Sequence, residues 1–234
     1  MTDLWEGAEN SDAAVVVRSL QHPELFAELY NRYAANVHRY CRRRLGDGVA
    51  DDVTAETFLT AFRTRRRFDT DRASALPWLC GIAADLIDRQ RRTEVGHLQA
   101  LVHTGHDPVA ASWAAGAGDR PAGQALRDSL AAALARLSSG DRNVLLLAVW
   151  EGFGHEDIGE ALGIPVEAAR SRLDRARREV RAALGDTDPT LVTKALKDFR
   201  ADAPRPDRAR LAPGRQRLLD LAAARGPRGM FRRS

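Results

Sequence analysis

Residues 151–184, EGFGHEDIGEALGIPVEAARSRLDRARREVRAAL, leave the chain few folds to choose from. Ile158 and Leu162, four apart, end a short helix, and Gly163 follows where the left-handed conformation is cheap. Pro165 then suits a helix start, because its φ is already fixed near the helical value. The second helix carries one apolar stripe: Val166, Ala169, Leu173, Ala176, Val180 and Leu184. Its opposite face shows Glu167, Ala168, Ser171, Asp174, Arg175 and Arg178, flanked by Arg170 and Arg172. A helix-turn-helix lays such a second helix in the DNA major groove, where arginine pairs bidentately with guanine. An ordinary helical hairpin with a solvated basic face explains the same two-helix pattern, and at this point both readings stand.

Composition narrows the rest. A chain of 234 residues suits one large domain or two small ones. A net charge of +4 and a pI near 9.6 permit an anionic partner without requiring one. The two cysteines, Cys41 and Cys80, show no zinc-like spacing and read as free thiols in a reducing cytosol. Residues 2–11 are polar and acidic, unlike a secretory signal, and no apolar run reaches the roughly 20 residues a membrane span needs. Long segments rich in alanine, leucine and arginine, poor in β-branched clusters, predict an all-α fold.

The first helix is expected from Pro23 to Gly46, with Leu25, Phe26, Leu29, Tyr33, Val37 and Tyr40 or Cys41 inward. Residues 1–22 form an arm, whose Val15, Val16 and Val17 suggest a short extra helix or a frayed end. A second helix spans about 49–67. Val53, Thr57, Phe58, Ala61 and Phe62 supply its buried side. Asp51, Asp52 and Glu56 make an acidic head and Arg63, Arg65, Arg66 and Arg67 a basic tail, which the helix dipole alone would explain. The acidic head also fits docking to a basic partner. Paired carboxylates sometimes signal acid–base catalysis, but no nucleophile, metal-ligand set or phosphate loop accompanies them, so no catalytic residue, cofactor or metal is expected.

Residues 68–76 read as a loop, and Pro77 opens a third helix that packs Trp78, Leu79, Ile82, Ala83 and Leu86 inward. Asp85, Arg89 and Arg92 lie toward the other side. Residues 94–122 lack any sustained period and read as an interdomain tether. The spacing of His97, His103 and His106 suits solvated histidines better than a metal site. A second helical unit, 123–185, begins with Leu126, Leu130, Ala133, Leu134 and Leu137 on one face. Ser138 and Asp141 follow, spaced as a capping box variant. The run NVLLLAVW from Asn143 to Trp150 then predicts a buried helix before the helix-turn-helix.

Taken together, ADDVTAETFLTAFR at 50–63, ALPWLCGIAADLIDRQRR at 75–92 and the span 137–184 resemble the bacterial sigma-70 family, extracytoplasmic-function type. The first segment is similar to the acidic motif of region 2.2, the second to region 2.4 and the third to regions 4.1 and 4.2. The resemblance covers about 23–93 and 124–185. It implies two small helical domains, region 2 and region 4, on a flexible linker; residues 186–234, a basic extension, lie beyond the family's usual end. It implies a promoter-specificity subunit that binds RNA polymerase core through its clamp helices and flap, reads the −10 and −35 elements and helps open the duplex. Further implications are a possible anti-sigma factor, no membrane insertion, and a cytoplasmic, nucleoid-associated location.

The same resemblance places Asp51, Asp52, Glu56 and Thr57 on the surface facing the polymerase clamp helices. It places Phe68, Asp69, Arg72, Trp78, Asp85 and Arg89 near the unpaired −10 strand. Flipping a base costs a few kcal/mol, which stacking and edge contacts must repay. Glu167, Ala168, Arg170, Ser171, Arg172, Arg175 and Arg178 are placed toward the −35 element, reading base edges or holding phosphate. The chain departs from the family pattern in four places. Asp85 stands where asparagine is common, Ala55 where glutamine is common, Gly154 replaces a capping serine, and Glu167-Ala168 is an unusual opening for a recognition helix. In the extension, LVTKALKDFRADAP and RLAPGRQRLLDLAAAR carry helical spacing beside Arg225, Arg228, Arg232 and Arg233. A disordered tail, a nonspecific DNA contact and an internal regulator folding back on regions 2 and 4 all remain open. The alternative to a polymerase subunit is a stand-alone helix-turn-helix regulator that acts without polymerase core.

Overall fold

The structure, a computed structural model, describes residues 10–101, 124–185, 189–198 and 206–225. Every regular element among them is helical. The first bundle holds α1 (Asp12–Arg18), α2 (Ala27–Leu45), α3 (Asp47–Thr64) and α4 (Leu76–Leu101), with a 3₁₀ turn at Pro23–Phe26. The second holds α5 (Gln124–Arg136), α6 (Ser139–Leu146), α7 (His155–Leu162) and α8 (Val166–Leu184). Two more helices follow, α9 (Pro189–Asp198) and α10 (Arg208–Ala224).

Local chemistry sets the helix ends. Gly46 and Gly163 close α2 and α7 at φ 82° and 61°, values that L side chains avoid. Ser138 caps α6, accepting from the Asp141 amide at 3.1 Å while its hydroxyl donates to the Asp141 carboxylate at 2.8 Å. Gly154 brings no capping side chain, so its amide donates to Asp157 Oδ2 at 3.3 Å instead. After α6 the backbone widens into a π turn at Leu147–Glu151, which Gly152 ends at φ 71°.

The first core packs Phe26 edge-on to Phe62 at 5.5 Å and Tyr30 against Phe58 at 4.6 Å. Residues 12–22 are not a free arm. Ser11 caps α1, Val15 and Val16 are buried, and buried Asp12 accepts from Tyr33 Oη, Arg32 and the Ala75 amide. Helix α1 therefore closes the bottom of the first bundle. The third helix also runs beyond the expected start of the tether, to Leu101. The remainder of the tether reading, with His103 and His106, lies outside the described residues, as do Arg228, Arg232 and Arg233.

The two bundles pack directly on each other, α4 against α7 and α2 against α6. A Cβ on Gly81 of α4 would lie 1.8 Å from the Ala161 carbonyl oxygen, so only glycine permits this crossing. Across the joint, fully buried Arg44 donates to Asn143 Oδ1 at 2.7 Å and to Asp88 at 3.2 Å, while Asn143 donates to Asp88 at 2.8 Å. Arg39 pairs with buried Glu151 at 3.2 Å. Arg91 donates to the Arg44 carbonyl, and burial, with Arg44 and Arg142 nearby, pulls its pKa down to about 9.

Candidate nucleic-acid interface

Helix α8 rests on Ala169, Leu173, Ala176 and Val180, all buried. Val166, expected on that stripe, is instead 43% exposed at the helix start, before α8 meets its neighbours. The outward face carries Glu167, Arg170, Ser171, Arg175 and Arg178, with Ala168 and Arg172 half-buried at its edges. Arg175 is not a free reader in this state. It grips Asp141 of α6 bidentately, Nε to Oδ2 at 3.0 Å and Nη2 to Oδ1 at 2.6 Å. Burial opposes ionisation of Asp141, but the bonds from Arg175 and Ser138 outweigh it and hold the carboxyl below its ordinary range. One residue thus caps α6 and fixes the roll of α8.

The loop 68–75 is tied at its base. Phe68 is buried, its ring 5.2 Å from that of half-buried Trp78, so Phe68 supports the tryptophan rather than reaching a base itself. The resemblance places Phe68 near the unpaired −10 strand, but its ring closes the core beneath the loop. Asp69 accepts from the Asp71 amide at 3.1 Å and from Arg72 at 3.1 Å. Arg72 also reaches Glu160 of α7 at 3.5 Å, joining the loop to the second bundle. Asp85 and Arg89 stand exposed on α4.

On α3, Asp51 and Glu56 are half-buried and Asp52 is exposed. Thr57 is not part of this surface. It is fully buried, and its hydroxyl donates back to the Val53 carbonyl at 2.7 Å, as threonine does inside helices. Glu56 pairs with Arg63 at 2.8 Å. Asp51 accepts from His38 at 2.7 Å and from Arg210 of α10 at 2.8 Å. Burial opposes its ionisation, yet these two partners hold the carboxyl below its ordinary range. Arg217 of α10 lies 3.3 Å from Asp52. Folding back of the extension is one of the three readings its sequence leaves open, but the pairing of Arg210 and Arg217 with Asp51 and Asp52 is not among the expectations. The available signal was Arg210 and Arg217, seven apart on one helical face, opposite an acidic helix head.

Cys41 and Cys80 are both buried and unbridged, and burial pushes the Cys41 thiol up to about 12. Among the described residues no cluster of histidine, cysteine and carboxylates is arranged to hold a metal, and no helix is long and apolar enough to cross a membrane.

Such geometry defines an all-helical protein of two bundles, with a helix-turn-helix bearing an exposed basic face in the second and an acidic helix head in the first. Comparison with known proteins narrows it. Residues 29–95 match the family described as Sigma-70 region 2, and residues 127–180 match Sigma-70, region 4. The chain is 31% identical over 170 residues to RNA polymerase sigma factor CarQ of Myxococcus xanthus, covering 70% of this chain and 92% of that one. It is 28% identical over 173 residues to ECF RNA polymerase sigma factor SigW of Bacillus subtilis, covering 70% and 90%. Two solved structures share the fold. CnrH in complex with the cytosolic domain of CnrY has a TM-score of 0.52 at 22% identity, over 76% of this chain and 99% of that one. The sigma factor RpoE in complex with the anti-sigma factor NepR from Bartonella quintana has a TM-score of 0.52 at 20% identity, over 70% and 98%.

The chain belongs to the sigma-70 family of RNA polymerase sigma factors, extracytoplasmic-function type. It is a promoter-specificity subunit of bacterial RNA polymerase, and the presence of region 2 leaves the stand-alone regulator reading not favoured.

Proposed function

We propose that this subunit works through three faces, each built from residues placed above. The outward face of α8, with Glu167, Arg170, Ser171, Arg172 and Arg178, meets the −35 duplex. The loop 68–75 with Trp78, Asp85 and Arg89 holds the unpaired −10 strand, Trp78 offering a stacking surface worth ~1–3 kcal/mol per base. Asp51, Asp52 and Glu56 face the polymerase clamp helices, where charge complementarity sets register and encounter rate more than affinity. The two domains are read as α1–α4 and α5–α8. Its work is binding and positioning, with no catalytic residue of its own, in the bacterial cytoplasm on the nucleoid.

The observation that carries this reading is the split character of α8. One stripe is buried in the second bundle, while the other is a basic, exposed surface of groove-reading length. Glu167 and Asp174 on that surface repel phosphate, and so favour sites where an arginine gains a base contact in return. Because the two structural relatives are each seen with a partner, one of them named an anti-sigma factor, an anti-sigma factor is proposed as a partner here too.

The test is promoter binding by polymerase holoenzyme carrying Arg170→Ala or Arg178→Ala, across a set of −35 sequences and salt concentrations. A base-reading arginine loses about 1–3 kcal/mol at one promoter position. A phosphate-holding arginine loses evenly over all sequences and lowers the salt dependence. Unchanged binding by both variants would remove α8 from the interface.

A further inference from the structure

We propose that the α2–α3 face is a docking surface for a basic amphipathic helix, and that in the free chain its occupant is the protein's own α10, which must leave before polymerase binds. The proposal rests on the reading of Asp51, Asp52 and Glu56 as polymerase-facing.

The seat is built from both sides. Arg210 bonds both oxygens of Asp51, at 2.8 and 3.1 Å, and donates to the Asp47 carbonyl at 3.1 Å. Arg217 reaches Asp52 at 3.3 Å, and Arg215 donates to Asn31 at 3.0 Å. Tyr30 of α2 donates to the Leu211 carbonyl at 2.8 Å. Leu218 and Ala222 are buried at 1% and 3% exposure, so α10 contributes apolar side chains to the first bundle as well as charge.

Close approach at the centre of the seat depends on two small residues. A Cβ on Gly214 would lie 2.5 Å from Tyr30 Oη and 3.2 Å from Ala55 Cβ. Ala55 is buried on α3 at 3% exposure. A glutamine there, the residue the family pattern leads one to expect, would extend into the space α10 occupies. The small Ala55 and the small Gly214 therefore fit each other.

The fastening suits displacement. Arg210, Arg217 and their carboxylate partners remain substantially solvent-exposed, and such pairs contribute little net stability. Tethering nevertheless keeps α10 at high local concentration near its seat. A basic polymerase surface needs the same carboxylates and cannot share them with Arg210 and Arg217. Apparent affinity for polymerase core is then reduced by the fraction of chains whose seat is open.

Hydrogen exchange of the full chain, free and bound to polymerase core, tests this directly. The expected result is that α10 amides exchange at least about tenfold faster in the complex, while amides of α3 near Asp52 and Glu56 become slower. Alongside it, core affinity is measured for Gly214→Leu and for the pair Arg210→Glu with Arg217→Glu, none of which alters a proposed polymerase contact. Both should bind core roughly tenfold or more tightly than the unaltered chain. Persistent protection of α10 in the complex, or unchanged or weaker core binding by both variants, overturns the proposal. Glu56→Lys tests the premise separately, because Glu56 pairs with Arg63 rather than with α10. If Glu56→Lys binds core as the unaltered chain does, the polymerase-facing reading itself fails.

Discussion

Arg44 and Asn143, 99 residues apart, are joined by a 2.7 Å hydrogen bond that ties α2 of the first bundle to α6 of the second. Arg44 is fully buried, so its charge is tolerable only because Asn143, Tyr40 and Asp88 surround it. Asn143→Leu should cost about 1–3 kcal/mol, the usual penalty for leaving a buried polar group short of a partner. Thermal unfolding reads the loss. A fluorescence-transfer pair with one label on each bundle should show the mean separation rising.

Gly81 makes a sharper demand on the same joint. Any side chain there places its Cβ 1.8 Å from the Ala161 carbonyl oxygen, and backbone cannot yield as a flexible side chain does. Gly81→Val should drive α4 and α7 apart while leaving each bundle helical. Small-angle scattering should report a larger radius of gyration, with the far-ultraviolet circular dichroism nearly unchanged. An unchanged radius would show that the joint absorbs the clash.

The grip of Arg175 on Asp141 predicts coupled effects. Arg175→Ala and Asp141→Ala should each lower the unfolding midpoint, and the double variant should lose less than the two single losses added together. In promoter binding, Arg175→Ala should weaken all sequences alike, since its loss loosens α8 as a whole. A loss confined to one promoter base would show instead that Arg175 leaves Asp141 to read that base.

His38 gives the stability a defined pH dependence. Burial lowers its pKa from 6.5, and the nearby Arg210 and Arg42 act the same way, while its bond to Asp51 pulls upward without prevailing. The unfolded chain therefore takes up the proton first as pH falls. The stability from neutral His38 is complete above 6.5 and is lost as pH drops below that value toward the folded pKa. Glu151 acts in the opposite sense, because burial raises its pKa above 4.5 and protonation there favours the folded state. Unfolding midpoints measured from roughly pH 7 to roughly pH 5 should fall for the unaltered chain and fall less for His38→Gln.

Much of this architecture was legible from residue spacing. Gly46 and Gly163 mark real helix ends, and Ser138 with Asp141 forms the expected capping box. The stripe from Ala169 to Val180 is the buried face of α8. These features are local, and a helical period or a cap is written in adjacent residues. What the sequence hid is long-range. Nothing near Asp12 tells that it receives the Ala75 amide, and nothing near Asp51 tells that Arg210, 159 residues later, will pair with it. Thr57 shows two kinds of reading disagreeing: helical spacing puts it on the buried side of α3, where it is, while the resemblance puts it on the polymerase-facing surface. Phe68 has no such local signal, because an aromatic at a loop mouth suits surface or core equally and only packing decides.

Run-off transcription from a promoter library, using purified polymerase core that lacks its own specificity subunit, measures promoter choice itself. Defined start sites are expected only when this chain is added. The selected templates should share paired −10 and −35 elements, and Arg170→Ala should shift or abolish that selection. A chain that binds duplex DNA but never associates with core, or that leaves initiation as random as core alone, would contradict the promoter-specificity role.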